Sequence, residues 1–337
     1  MDRVGRSATS CLHRRRSCAV AISMCLVIGA TMAAPPSGAA TSAAHYAQPS
    51  RESGCPSLSC TSATSAVIAA LKRSAIPGTL SPTLSKAAHD LVPPAGGTAS
   101  SVGIVGLDPR FNAWTYGPAT GHMRIAVIGD SHALQWSKSI AAISARANAH
   151  MALLYRLGCF VTLTAKLLPA RGPIGPSASP AACQKWTEAA VRWIVRFQPQ
   201  VVIVVLSRPV NESLYMTGIK LIVANLKHAG RRFAFIGSGT RPWADTPSCL
   251  AAHSTQIALC STKLSVAIDP AQLGVEEGAA VSVGARFVNV IPWLCTTQLC
   301  PSVIGHDEVY ADQVHLTSTF AASLSPVLSV ALGFTRS

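Results

Sequence analysis

Charged side chains are scarce in this chain: Asp, Glu, Lys and Arg make up 12% of 337 residues, with 14 acidic against 28 basic. Beyond the first 17 residues there is no basic run, and no aromatics are interleaved with the arginines, which argues against a nucleic-acid surface. The two-residue cysteine spacing of a zinc knuckle is missing, and no histidine pair accompanies the cysteines, so neither metal nor cofactor is called for. There is no internal repeat and no multi-span membrane segment. What is abundant is apolar: 49% hydrophobic residues and a mean hydropathy of +0.35 exclude a disordered chain and allow one substantial core with an extension.

The N-terminus orders its residues as export signals do. Arg3, Arg6 and Arg14-Arg15-Arg16 precede an apolar segment from Cys18 to Ala34, then small residues and Pro35-Pro36. Residues 1–43 are therefore expected to be a signal peptide, cleaved near Ala40 or Ala44. An uncleaved N-terminal anchor is the alternative, and the only membrane contact expected. The arginine cluster is also compatible with a twin-arginine route. Discounting the five arginines and one aspartate of residues 1–17 lowers the net charge from +14 to +10. An anionic envelope surface or acidic polysaccharide is the partner this favours.

Cysteine usage supports export. Cys11, Cys18 and Cys25 fall in the signal, and the other eight form local couples: Cys55 with Cys60, Cys159 with Cys183, Cys249 with Cys260, and Cys295 with Cys300. Eight cysteines allow about 105 pairings, but this clustering makes sequential disulfides the natural choice in an oxidising compartment.

Residues 44–119 read as an irregular lead-in with short helices over Thr61–Arg73 and Pro82–Leu91. Residues 93–101 look like a flexible connection, and the first strand run is at Val102. From residue 120 to 337, strand and helix signals alternate. Strands are expected at 123–129, 151–155, 200–206, 232–237 and 286–291, and helices at 133–147, 181–197, 213–229, 270–282 and 316–332. That alternation means βαβ units: an α/β, three-layer α/β/α sandwich with a mainly parallel sheet of about five strands.

The stretch Met-Arg-Ile-Ala-Val-Ile-Gly-Asp-Ser-His at 123–132 delivers Ser131 to a strand-to-helix turn, where open α/β sheets place their ligands. Helix capping is the plainer job for Asp130 and Ser131. The partner that changes this is Asp312-Gln-Val-His315. Residues three apart lie on one side of a turn, so the carboxylate can take the imidazole N–H and fix its tautomer. A serine hydroxyl needs such an imidazole to accept its proton. Asp130 lies less well spaced from His315 than Asp312 does.

Gly129-Asp130-Ser131-His132 and Asp312-x-x-His315 resemble the first and last blocks of the SGNH hydrolases, the GDSL-like esterases. Several features are similar to the extracytoplasmic SGNH domain of bacterial acyltransferase-3 (O-acetyltransferase) proteins. They are the GDSH form, Gly158-Cys159 after the second strand, the cysteine couples, and Tyr310-x-Asp312-x-x-His315-Leu316-Thr317. The lead-in Ile76 to Leu91 is similar as well, so the resemblance spans roughly residues 60–335.

The resemblance implies a flavodoxin-like fold and acyl transfer. Ser131 would be the nucleophile, His315 the base and then acid, and Asp312 the orienter of His315. The substrate implied is an acyl, chiefly acetyl, ester of a cell-surface glycan or a small acylated molecule, with a membrane protein as acyl donor. Besides the Ser131 N–H, the family's oxyanion hole uses a glycine and an asparagine. Gly158 is the candidate glycine, with a plain turn glycine the equal alternative, and Ser207-Arg208-Pro209-Val210-Asn211 lacks the Gly-x-Asn-Asp pattern, leaving Asn211 or Arg208 as donor. His132 and Trp136 stand beside the serine, where they would shape the pocket, and packing explains Trp136 equally well. The function expected is a secreted or envelope serine esterase or O-acyltransferase. The alternatives are a non-catalytic glycan-binding module of the same fold and a structural envelope protein.

Overall fold

The computed structural model describes residues 90–159, 179–205, 207, 212–227 and 232–334, together with residue 69. Its contacts divide the chain into residues 1–47 and 48–337, and every described residue lies in the second unit. The expected signal segment, the Cys55–Cys60 couple and most of the two lead-in helices fall outside the described residues.

In chain order the strands are β1 (Thr98–Ser100), β2 (Ala113–Tyr116), β3 (Met123–Gly129), β4 (Ala149–Tyr155), β5 (Val201–Val205), β6 (Arg232–Ile236), β7 (Thr262–Lys263), β8 (Arg286–Val288), β9 (Leu299–Cys300), β10 (Val303–Ile304) and β11 (Asp307–Glu308). The main helices are α1 (Ser131–Arg146), α2 (Pro180–Phe197), α3 (Glu212–Leu226), α4 (Pro270–Ser282), α5 (Ser318–Ser323) and α6 (Ser325–Ala331). Seven strands form one sheet in the order β1-β2-β4-β3-β5-β6-β8. The five from β4 to β8 run parallel, and helices flank them. The expected α/β sandwich is the fold observed.

The apolar runs explain the sheet's centre. In β5, Val-Val-Ile-Val-Val is buried at every position, as are the last five residues of β3, because parallel strands are covered on both faces. The helices start where capping residues stand. Ser179 accepts from the N–H of Ala182 with Pro180 following, and Asp269 accepts from the N–H groups of Ala271 and Gln272 with Pro270 following. Trp186 of α2 is fully buried and donates its indole N–H to the Phe111 carbonyl at 2.9 Å.

Three expectations are corrected. Residues 93–101 are not merely a connection: β1 lies within them and pairs antiparallel with β2, which pairs antiparallel with β4. These two strands are short, and β1 is exposed throughout, so no apolar run announces them. Val102 and its neighbours, read as a strand, form none, although Val102 itself is buried. The helix expected over 316–332 is two, α5 and α6, because Pro326 lacks the N–H to continue the first.

Among the described residues three disulfides are present: Cys159–Cys183, Cys249–Cys260 and Cys295–Cys300. They follow the sequential pairing. The first ties the turn after β4 to α2, and the second closes the loop that follows β6.

Candidate active site

Ser131 stands at the carboxyl edge of the sheet as the first residue of α1. Gly129 permits that turn: a Cβ there would meet the Cβ of Ala133 at 2.8 Å and the Val205 carbonyl oxygen at 2.9 Å, so strand and helix approach too closely for a side chain. Asp130 caps the helix, its Oδ1 accepting from the His132 N–H at 2.8 Å. As a first-turn residue, Ser131 has a backbone N–H without an intrahelical acceptor, at the positive end of the helix.

His315 arrives from a loop between β11 and α5. Tyr310 and Leu316 form an isolated antiparallel bridge, and the Ala311 N–H donates to the His315 carbonyl at 2.9 Å. The loop is held against α1 by the Leu316 N–H, which donates to Oε1 of the buried Gln135 at 2.9 Å. Asp312 closes the turn on itself. Its Oδ1 accepts from the N–H groups of Val314 (2.7 Å) and His315 (2.8 Å), and its Oδ2 lies 2.7 Å from His315 Nδ1. His315 Nε2 is 2.7 Å from Ser131 Oγ.

The charges are arranged to match. Burial pushes the Asp312 carboxyl up, but the His315 contacts and the two N–H groups outweigh it and hold the carboxyl below the ordinary range. The Asp312 side chain is 42% exposed and that of His315 14%, so the imidazole is the more enclosed partner. With Asp312 ionised, Nδ1 of His315 carries the proton and Nε2 is the acceptor facing the serine hydroxyl.

A second aspartate–histidine pair stands beside the first. Asp130 Oδ1 is 3.0 Å from His132 Nδ1, and the His132 ring lies 5.2 Å from that of His315, tilted by 49°. Asp130 therefore serves His132, not His315. Burial pushes Asp130 up, but His132 and a hydrogen bond from Ser207 prevail and lower it. Burial pushes His132 down, but the charge and hydrogen bond of Asp130, with Glu276 beyond, prevail and raise it. Glu276 is fully buried, and burial keeps its carboxyl above the usual range, while it accepts from the Ser238 N–H and from Gln272 Nε2.

His132 lines a pocket with a water-accessible volume of about 30 Å³, walled by Ser238–Arg241, Ala267–Asp269, Gln272, Leu273, Ile291 and Val314. The sequence carried one faint sign of this pair, the Asp130-x-His132 spacing, and none of the pocket's far walls. Trp136 is fully buried and packs in the core, its indole nitrogen without a partner, so packing is its role.

Gly158 sits in the turn after β4 with φ of 67°, a left-handed conformation that favours glycine. The Cys159 N–H donates across that turn to the Arg156 carbonyl. Arg208 and Asn211 lie outside the described residues, as do Cys55 and Cys60. Among the described residues, no three of His, Cys, Asp or Glu are grouped to hold a metal ion.

A family model described as "SGNH domain (fused to AT3 domains)" matches residues 105–329. The lipopolysaccharide acetyltransferase periplasmic domain of Salmonella ser. Paratyphi A is similar in structure, at 18% identity and a TM-score of 0.48, covering 60% of this chain and 81% of that one. A catalytic mutant of an acetylxylan esterase from Geobacillus stearothermophilus is similar at 10% identity and a TM-score of 0.38, covering 66% and 99%. No curated protein matches the sequence.

Proposed function

The chain belongs to the SGNH domain family, the one fused to AT3 domains, and we propose that it is an extracytoplasmic serine esterase or O-acyltransferase working on acyl, chiefly acetyl, groups of a cell-surface glycan. The observation that carries this reading is the unbroken line Ser131 Oγ to His315 Nε2 to Asp312, each contact at 2.7 Å.

In the reaction, Ser131 Oγ bonds to the ester carbonyl carbon while its proton passes to His315 Nε2. The carbonyl π pair moves onto oxygen. Asp312 stabilises the resulting imidazolium through Nδ1–H. Collapse of the tetrahedral intermediate breaks the bond to the alcohol, which takes the proton from His315 and leaves an acyl-Ser131 ester. Water or a sugar hydroxyl then gives its proton to His315 and takes the acyl group, and Ser131 Oγ leaves with the proton that His315 returns to it. The Ser131 N–H is one donor to the oxyanion. Gly158 is our second, and Asn211 or Arg208 our third. A missing donor of this kind costs about 2.7–4 kcal/mol in the transition state.

Fusion to AT3 domains in the family supports a membrane protein as acyl donor, and the three disulfides suit an extracytoplasmic site. Among the described residues no helix is long and apolar enough to cross a membrane. Residues 1–43 are our proposed signal or anchor.

Labelling with a fluorophosphonate tests the reading without knowledge of the substrate. The purified protein is expected to label and to release p-nitrophenol from p-nitrophenyl acetate, and Ser131→Ala to do neither. Glycan binding that survives in Ser131→Ala, with a wild type inert to both reagents, would select the glycan-binding module instead.

A further inference from the structure

Among the described residues, two sides of Ser131 differ in what they offer a substrate. Toward β4 and β5 lie Gly158 and the end of β5, where the oxyanion donors are proposed. Toward β6 and β8 lies the pocket lined by His132, Arg241, Ser238, Thr240, Gln272 and Val314. His315 identifies this second side. Its Nε2 must pass a proton to the departing alkoxide and take one from the incoming hydroxyl, so the alcohol portion of the ester sits beside that imidazole. The His132 ring lies 5.2 Å from that of His315, and the pocket wall includes Val314, the residue before His315.

Size and chemistry agree. The pocket's water-accessible volume of about 30 Å³ holds one or two ordered heavy atoms, since a single water needs about 10–15 Å³ on the same measure. Half of the lining residues carry polar side chains, which suits hydroxyl groups. Asp130 holds His132 at Nδ1, leaving Nε2 for a ligand, and Glu276 fixes the wall by accepting from the Ser238 N–H at 3.0 Å.

We propose that this pocket is the alcohol subsite, taking the sugar hydroxyl edge of the ester or acceptor, with His132 and Arg241 as its specificity-determining residues. The proposal rests on the reading of Ser131 as nucleophile and adds where the sugar lies. The groups facing His132 are Asp130 on its own turn, His315, Glu276 of α4 and Arg241 of the loop after β6. Burial lowers the affinity of His132 for a proton, yet Asp130 and Glu276 raise it further than Arg241 depresses it, which favours a donor at Nε2.

The test compares kcat/KM for p-nitrophenyl acetate with that for mono-O-acetyl esters of methyl glucoside and N-acetylglucosamine. Because p-nitrophenolate departs without a proton or a hydroxyl contact, the aryl ester makes little demand on this subsite. The ratio of sugar-ester to aryl-ester kcat/KM is expected to fall at least tenfold in His132→Gln and severalfold in Arg241→Gln. Arg241 is exposed, so its variant keeps the test open if the buried His132→Gln does not fold. An unchanged ratio in Arg241→Gln and in folded His132→Gln overturns the proposal. So does an equal loss on both substrates, which would make His132 an oxyanion donor, or a shifted preference between acetyl and butyryl aryl esters, which would make the pocket the acyl site. A wild type active on the aryl ester but on none of the sugar esters overturns the subsite alone. A wild type inert to every ester and to fluorophosphonate overturns the nucleophile and the subsite together.

Discussion

Two aspartate–histidine pairs face each other across 5.2 Å, yet only His315 contacts Ser131 Oγ. Both aspartates do the same local work. Each accepts from the backbone N–H of its own histidine and holds that imidazole by Nδ1. They differ in their frames. Asp130 is the N-cap of a helix and is buried, and its carboxylate holds the His132 imidazole in the protein interior. Asp312 sits in a half-exposed loop, and the loop, not the helix, carries its imidazole to the serine. A short aspartate–histidine motif thus sets a tautomer, whereas the backbone behind it determines which group the free nitrogen meets.

The comparison breaks most sharply at the serine. Ser131→Ala and His315→Ala are each expected to lower kcat for p-nitrophenyl acetate by about 10⁴–10⁶-fold, measured against a folded-state circular dichroism control. Next come the two aspartates. Asp312→Asn is expected to cost about 10⁴-fold in kcat by presenting the wrong tautomer. Asp130→Asn should cost at least tenfold less, with its larger effect on the sugar-ester ratio; equal losses would erase the distinction between the pairs.

Gln135→Leu examines the link that holds the His315 loop. It strands the buried Leu316 N–H, so unfolding in urea should show a loss of about 1–3 kcal/mol. The smallest effect is a pH dependence confined to that loop's approach. Glu308 is buried with Oε2 unpartnered, and burial pushes its carboxyl up to about 7. A raised carboxyl stabilises the fold fully below its unfolded value near 4.5, and that stabilisation is lost as pH rises through about 7. The melting temperature should therefore drop by a few degrees between pH 5 and 8, and Glu308→Gln should flatten that slope.

Much of this architecture is legible in the chain because burial on both faces leaves continuous apolar runs, as in β3 and β5. The edge strands β1 and β2 are illegible for the opposite reason: β1 buries nothing, and its pairing with β2 is its only signal. The pocket is illegible because its walls come from β6's loop, α4, Ile291 and Val314, residues separated by long stretches of sequence. The oxyanion donors expected at Arg208 and Asn211 rest on the sequence alone.

By itself the sequence determined the local chemistry. Gly129 admits the tight strand-to-helix turn, Asp130 caps it, and the three-residue spacing of Asp312 and His315 closes a carboxylate onto an imidazole. Those are contacts within a few residues, fixed by backbone geometry. Only the tertiary structure brings His315, the partner expected from the sequence, onto Ser131 and sets His132 in the pocket wall. The buried hydrogen bond from Leu316 to Gln135 helps to hold that arrangement, docking a loop onto α1 across 181 residues of chain.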